Sequence, residues 1–539
     1  MRTRLCIMKQ KMARYEMHKY WGKKPSKDLL QLIEKYSDEG DILLDPFAGY
    51  GVFVCEAYLN GRNAIGNDLN PSSTFIQKQL LNSEIDLDLF ETEIKKVLLD
   101  NESSQNHWYS VNCPKCGKES QVVATLRSKS NIPLMNKVKC SCTRSAIEYE
   151  LSDEESKKIL NLEENLNIDE HPSRKLIRNG RISALDNMTT DDLFTIRTLQ
   201  CHTRLLNSIN LIENEAIRNL AKLAFTSNLA NCSRLVPPIK SRGPMAPGAW
   251  MTGFYVGETY LENNVYHYFK NRVAKIISGK QDFFEQKSRL DGLEDRGHVD
   301  EIKSFDRNSR GYLVTSYDTK ELGFPDNSID YIFTDPPYGD SVPYFEQSAI
   351  WNTWLGHSVD YENEVVISDS KNREKRAVNF TTEISHCIHE IYRVLKIDSY
   401  FSITFHSISG SEWYALTKAC LEAGFSLDDI QWLTQKTFAP RQLNRKKTVK
   451  GDVLITFRKR SKKPKLKQLD KCETENLIYT EATKILNIES CNTNDIYIAI
   501  LTKVFSDHIL FEEINFIDEL MKSFHIDDDG YWHSDHNVI

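Results

Sequence analysis

Between residues 41 and 68 the chain passes from the apolar segment DILLD, through the turn FAGYG and the stretch VFVCEAYLN, to a second short segment, RNAIGND. Short apolar runs bounded by glycine predict strands, and the longer stretch between them predicts a helix. A strand, a helix and a second strand in succession close right-handed and begin a parallel sheet, so all-helical and purely antiparallel folds are excluded. The pattern resumes much later with YLVTSYD (312–318), IDYIFTD (329–335), SYFSITFHS (399–407), DIQWLT (429–434) and KGDVLITFRK (450–459). Between 380 and 396, Ile384, Ile388, Ile391 and Leu395 recur at helical spacing, as in a crossover between parallel strands. The expected architecture is one doubly wound α/β sheet of seven strands, its last two an antiparallel hairpin.

Residues 76–305 are far too many for a crossover and predict an inserted region, with a cysteine-bearing segment at about 108–145 followed by helices. The sheet domain is therefore expected in two parts, 1–75 and 306–460. A basic linker at 461–470 then leads to a small helical domain at 471–539. That last segment holds 14 Asp and Glu against 4 Lys and Arg, a net of −10, whereas the rest of the chain nets +3. The acidity thus belongs to the tail, and the remainder can face phosphates. No apolar run is long enough to span a bilayer and no signal peptide is evident, so a cytoplasmic location without membrane contact is expected.

Four of the 12 cysteines fall in CPKCG and KCSC. Cys113, Cys116, Cys140 and Cys142 are spaced as in a small zinc ribbon, and four thiolates suit one closed, structural zinc per chain. The second pair is C-x-C where C-x-x-C is usual, which leaves buried free thiols or a reducible disulfide as the other readings. Arg441, Arg445, Lys446, Lys447 and Lys450 lie between the last two strands, either as a solvated face or as phosphate contacts.

The strand IDYIFT ends in Asp335-Pro336-Pro337-Tyr338. An acid, two prolines and an aromatic ring offer carboxylate and carbonyl acceptors beside a flat surface, which suits holding an exocyclic amine for alkylation. With the glycine turn upstream, the chain resembles the amino-group methyltransferases that act on adenine or cytosine in DNA with S-adenosylmethionine, over residues 15–75 and 310–460. Gly49 and Gly51 let backbone pass close to a ligand; by themselves they also fit an ordinary strand-to-helix turn. The resemblance implies that Asp45, Pro46, Phe47, Gly49 and Gly51 line the cofactor, that Asp68 holds its ribose, and that Asp318 approaches its adenine. In MHKYWGKKP, Trp21 with Lys23 and Lys24 could close over the methionine carboxylate, or form an arm capped by Pro25 before a helix.

By the same resemblance Asp335 and the carbonyl of Pro336 accept the two N–H groups of the amine, Pro337 stiffens the turn, and Tyr338 stacks on a flipped-out base. The Asp form of the tetrapeptide and the motif order lean to N6 of adenine in double-stranded DNA, with N4 of cytosine as the alternative. A tRNA guanine-N2 methyltransferase and a catalytically silent DNA-binding subunit are the remaining alternatives. The setting implied is a restriction or defence system, with a partner protein reached through the acidic tail.

Overall fold

The computed structural model describes residues 12–290, 292–340, 342–371, 373–405, 410–433, 452–488 and 490–534. Its strands, in chain order, are β1 (Ile42–Asp45), β2 (Asn63–Asn67), β3 (Ser110–Asn112), β4 (Glu119–Ser128), β5 (Pro133–Lys139), β6 (Ile147–Glu150), β7 (Thr259–Asn263), β8 (Glu294–His298), β9 (Ser309–Thr315), β10 (Ile329–Thr334), β11 (Leu395–Phe405), β12 (Phe425–Leu433) and β13 (Asp452–Lys459). Short strand pieces follow near the C-terminus. The chain divides into two units. The first comprises residues up to Trp21, Phe75–Asp291 and Tyr344–Val359; the second comprises Gly22–Thr74, Gly292–Pro343 and everything from Asp360.

The second unit holds an eight-stranded sheet in the order β12-β13-β11-β10-β1-β2-β9-β8. Every pairing from β8 through to β11 is parallel, and β13 runs antiparallel between β11 and β12. The expected count of seven is one short. The extra edge strand β8 reads EDRGH and is mostly exposed, so it carries no apolar signal. Central strands are buried along their length, β2 completely and β10 nearly so, as a sheet covered on both faces requires. The crossover helix Ala377–Val394 buries Ile384, Ile388 and Ile391 as its spacing predicts, and ends one residue before Leu395 opens β11.

The acidic C-terminal segment forms helices Lys471–Leu486, Thr493–Ser506 and Phe516–Leu520, and its apolar face is continuous with the sheet's core. Phe505 meets Phe457 of β13 edge-on at 5.0 Å, and Tyr497 lies 6.2 Å from Trp413. Its core residues share one apolar cluster with the sheet, within the second unit.

In the first unit β4 pairs with β5 on one side and with β3 and β7 on the other, all antiparallel, and β6 follows β5. Long helices Leu87–Gln105, Ile196–Asn210, Glu215–Leu229 and Val265–Lys287 belong to the same unit. Buried Arg127 pairs with Glu163 and Glu262, and Arg197 pairs with Glu262, so these interior charges are matched. Among the described residues no helix is long and apolar enough to cross a membrane.

Candidate active site and metal centre

β1 delivers Asp45 to the carboxyl edge of the sheet, buried. Its Oδ1 accepts a hydrogen bond from the Phe47 amide at 3.1 Å and another from the Thr334 hydroxyl, at the end of neighbouring β10, at 3.0 Å. Burial outweighs these two bonds and, with Asp335 and Asp68 nearby, lifts the Asp45 carboxyl from 3.8 to about 8. Beyond it the chain turns through Gly49 at φ 51° and Gly51 at φ 86°, a left-handed region that other residues enter at a cost. Gly51 then caps the helix Val52–Leu59, every residue of which is buried.

Asp68 follows β2 and ties this turn down. Its Oδ2 accepts from the Gly49 amide and its Oδ1 from the Asn70 amide, each at 2.8 Å. The Ser73 side chain also hydrogen-bonds this carboxylate. Burial shifts this carboxyl upward. Asn67, which sequence reasoning passed over, is fully buried. It donates to the Pro46 carbonyl at 3.2 Å and the Tyr317 carbonyl at 3.0 Å, and accepts from the Thr315 hydroxyl and Tyr317 amide at 2.8 Å each. One amide side chain thus clamps the turn after β1 to the end of β9. An amide closing an otherwise apolar strand was the available signal. Asp318 lies three residues past the end of β9 rather than closing it, and its carboxylate accepts from the Lys320 amide at 2.9 Å and pairs with the Lys320 ammonium at 3.0 Å.

Asp335 to Tyr338 follow β10, and Gly339 at φ 62° lets the turn continue where a Cβ would strike Glu412 Oε1. Three donors converge on Asp335 Oδ1: the Thr404 hydroxyl of β11 at 2.7 Å, the Tyr338 hydroxyl, and the Lys24 ammonium at 3.0 Å. Among the described residues Oδ2 has no donor. Burial raises the Asp335 carboxyl while Lys24 draws it back down. Lys24 also pairs with Asp452, the first residue of β13, at 2.7 Å. Burial alone would lower the Lys24 ammonium, but Asp335 and Asp452 together hold it raised. The Tyr338 ring and Phe405 stand edge to face with centroids 5.4 Å apart, and the Tyr338 hydroxyl donates to Asp335.

Lys23 sits 3.7 Å over the ring of Tyr50, within the glycine turn. Pro25 caps the helix Ser26–Tyr36, as one reading of that segment required. Trp21 belongs to the first unit and packs there against Trp351 at 5.0 Å, Tyr344 at 6.1 Å and Trp250 at 6.4 Å. Thr404 and Asp452 were not anticipated; an acid opening the apolar strand DVLITF was the visible clue to the second. Arg441, Arg445, Lys446, Lys447 and Lys450 lie outside the described residues.

In the first unit Cys113 and Cys116 sit in the turn after β3, and Cys140 and Cys142 in the turn after β5. All four sulfurs lie within 4.8 Å of one another. Cys113 and Cys142 are 3.7 Å apart, Cys116 and Cys140 3.6 Å. Zinc–sulfur bonds of about 2.3 Å in a tetrahedron place sulfurs roughly 3.8 Å apart, so the cluster fits a four-thiolate ion. Backbone amides of Lys115 and Cys142 point at the sulfurs of Cys113 and Cys140, at 3.4 and 3.5 Å, which stabilises thiolate charge.

The family model for N6/N4 DNA methylases matches residues 6–77, the segment that carries β1, the glycine turn and Asp68. Similar solved structures include a chain of the complex between the Haloferax volcanii Trm112 methyltransferase activator and a methyltransferase. It is 12% identical, covers 29% of this chain and 64% of its own, and has a TM-score of 0.17. A SAM-dependent methyltransferase from Methanosarcina mazei is 12% identical over 31% of this chain and 82% of its own, TM-score 0.16. The geranyl diphosphate C-methyltransferase from Streptomyces coelicolor A3(2) is 9% identical over 56% and 97%, TM-score 0.17. A comparison with curated proteins gives no match.

Proposed function

We propose that this chain is an S-adenosylmethionine-dependent DNA methyltransferase that modifies the exocyclic N6 amine of adenine in double-stranded DNA. One observation carries the reading. The segment matched by the DNA methylase model and the Asp335 turn end on adjacent parallel strands, β1 and β10, joined by the Thr334–Asp45 hydrogen bond. Cofactor turn and amine acceptor thus open on the same sheet edge, where ligands of open parallel sheets bind.

The site's residues fit the cofactor. The left-handed glycine turn admits backbone close approach, and Asp68 stands beside that turn as the ribose acceptor. S-adenosylmethionine supplies a sulfonium-bound methyl group. Asp335 Oδ2 and the Pro336 carbonyl accept the two N–H groups of the target amine, which draws its lone pair out of the ring and toward the methyl carbon. The cofactor would give up its methyl group to the nitrogen and keep the S–C electron pair on sulfur, and Asp335 would take the proton that the methylated nitrogen sheds. Tyr338 borders the base. The four cysteines hold a structural zinc, the basic residues 441–450 contact phosphates, and the acidic face of the C-terminal segment meets a protein partner.

The test is single-molecule sequencing of DNA from a methylation-free host that expresses the wild-type chain or its Asp335→Ala variant. Modified adenines in one sequence context, lost in the variant, are expected. Modified cytosines would transfer the reading to the N4 alternative, and unmodified DNA under wild-type expression would overturn it.

A further inference from the structure

Lys24 stands between two carboxylates that arrive from distant parts of the sheet. Its ammonium lies 3.0 Å from Asp335 Oδ1 and 2.7 Å from Asp452 Oδ2, with 10% of its side chain exposed against 18% and 4% for the acids. A lone cation between two buried acids cannot neutralise both, so the trio carries one surplus negative charge. Among the described residues, the other groups facing Asp335 are the Thr404 hydroxyl from β11, the Tyr338 hydroxyl from its own turn, and the Asp45 carboxyl from β1. Among them and Asp452, Lys24 is the one described group that brings positive charge. Lys24 joins Thr404 and Tyr338 on Oδ1, and no described residue donates to the second oxygen, which can then take a donor from outside.

Building on the methyltransferase reading, we infer that Lys24, anchored by Asp452, is a positioning residue that keeps Asp335 ionised and presents its Oδ2 to the substrate amine. Without the cation, a partly buried carboxylate beside Asp452 takes up a proton. In that form it accepts the amine's N–H less well and no longer takes its proton. Lys24 touches neither cofactor nor base in this role; besides the two carboxylates its ammonium donates to the Tyr338 hydroxyl at 3.2 Å, which itself donates to Asp335.

The experiment is the pH dependence of single-turnover methyl transfer to a duplex carrying the wild-type chain's own target sequence, for wild type, Lys24→Met, Lys24→Arg and Asp452→Asn. Calorimetric S-adenosylmethionine binding accompanies each. An opposite charge at this distance lowers a carboxyl by about 1 to 3 pH units. Lys24→Met is therefore expected to move the acidic limb up by about that much, a roughly 10- to 1000-fold loss of rate below it, with cofactor affinity within about twofold of wild type. Lys24→Arg, which keeps the charge, should leave the limb near its original place. Asp452→Asn removes a like charge and should move it the opposite way, to lower pH. An unmoved limb in Lys24→Met, or parallel losses at all pH values in both single-charge variants, overturns the inference while leaving the methyltransferase reading intact. If Lys24→Met does not fold, the direction of the Asp452→Asn shift decides. A wild-type chain that transfers no methyl group overturns the underlying reading, and the inference with it.

Discussion

Replacing Asp45 with Asn should make the chain more stable in alkaline buffer than the wild type. Asp45 is buried, and its carboxyl is raised from 3.8 to about 8. An acid whose folded value lies above its unfolded one binds its proton more tightly in the native state. The associated stability is therefore fully present below about pH 4 and is lost as pH rises through about 8. Each tenfold difference in proton affinity between the folded and unfolded chain is worth about 1.4 kcal/mol, so between pH 5 and 8 the wild type should lose on the order of 4 kcal/mol through this one group. Asn has nearly the same shape, and its carbonyl oxygen can still accept from the Phe47 amide and Thr334 hydroxyl, but it does not titrate. Urea unfolding of both proteins at pH 5, 6.5 and 8, without cofactor, reads this contribution together with the smaller coupling of Asp45 to Asp68 and Asp335. The variant should trail or match wild type at pH 5 and exceed it by several kcal/mol at pH 8. Parallel curves across that range would refute the reasoning, since they would mean that Asp45 is ionised in the folded protein at neutral pH.

Cys113→Ser should abolish binding of one zinc per chain and destabilise the first unit by several kcal/mol; elemental analysis and thermal melts report it, and zinc-free wild-type protein would remove the metal from the account. Gly51→Ala forces a side chain into φ 86° and should cost about 1 to 2 kcal/mol of stability, measurable by urea unfolding, with weakened S-adenosylmethionine binding. Neutralising Arg441, Arg445, Lys446, Lys447 and Lys450 together should weaken DNA binding to all sequences and flatten its salt dependence, an outcome that fluorescence anisotropy across a salt series would detect or deny.

Features written within a few neighbouring residues were legible in the sequence. The strand DILLD, its glycine turn and the tetrapeptide at 335–338 are contiguous, and each carries its chemistry in its own order of residues. The partners that complete the site are not local. Asn67 bridges Pro46 to Tyr317, Thr404 reaches back to Asp335, and Lys24 meets Asp452 across 428 positions, separations at which no periodicity links the residues. β8 escaped notice because an exposed edge strand needs no apolar face. What covers the amphipathic helices of the acidic tail is likewise not written locally: Phe457 and Trp413 meet them in a shared core.

The order of strands in the sheet also governs how the protein is made. β1 lies at its centre, yet its neighbour β10 is encoded nearly 300 codons later, the Asp45–Thr334 pair being separated by 289 positions. At a synthesis rate of about 5 to 20 residues per second, β1 and β2 wait roughly 15 to 60 s on the ribosome before that flank can be covered. Throughout that interval an apolar strand offers an open hydrogen-bonding edge to any other nascent chain. Translation speed and chaperone supply should therefore decide the yield of soluble protein more strongly than the stability of the finished fold.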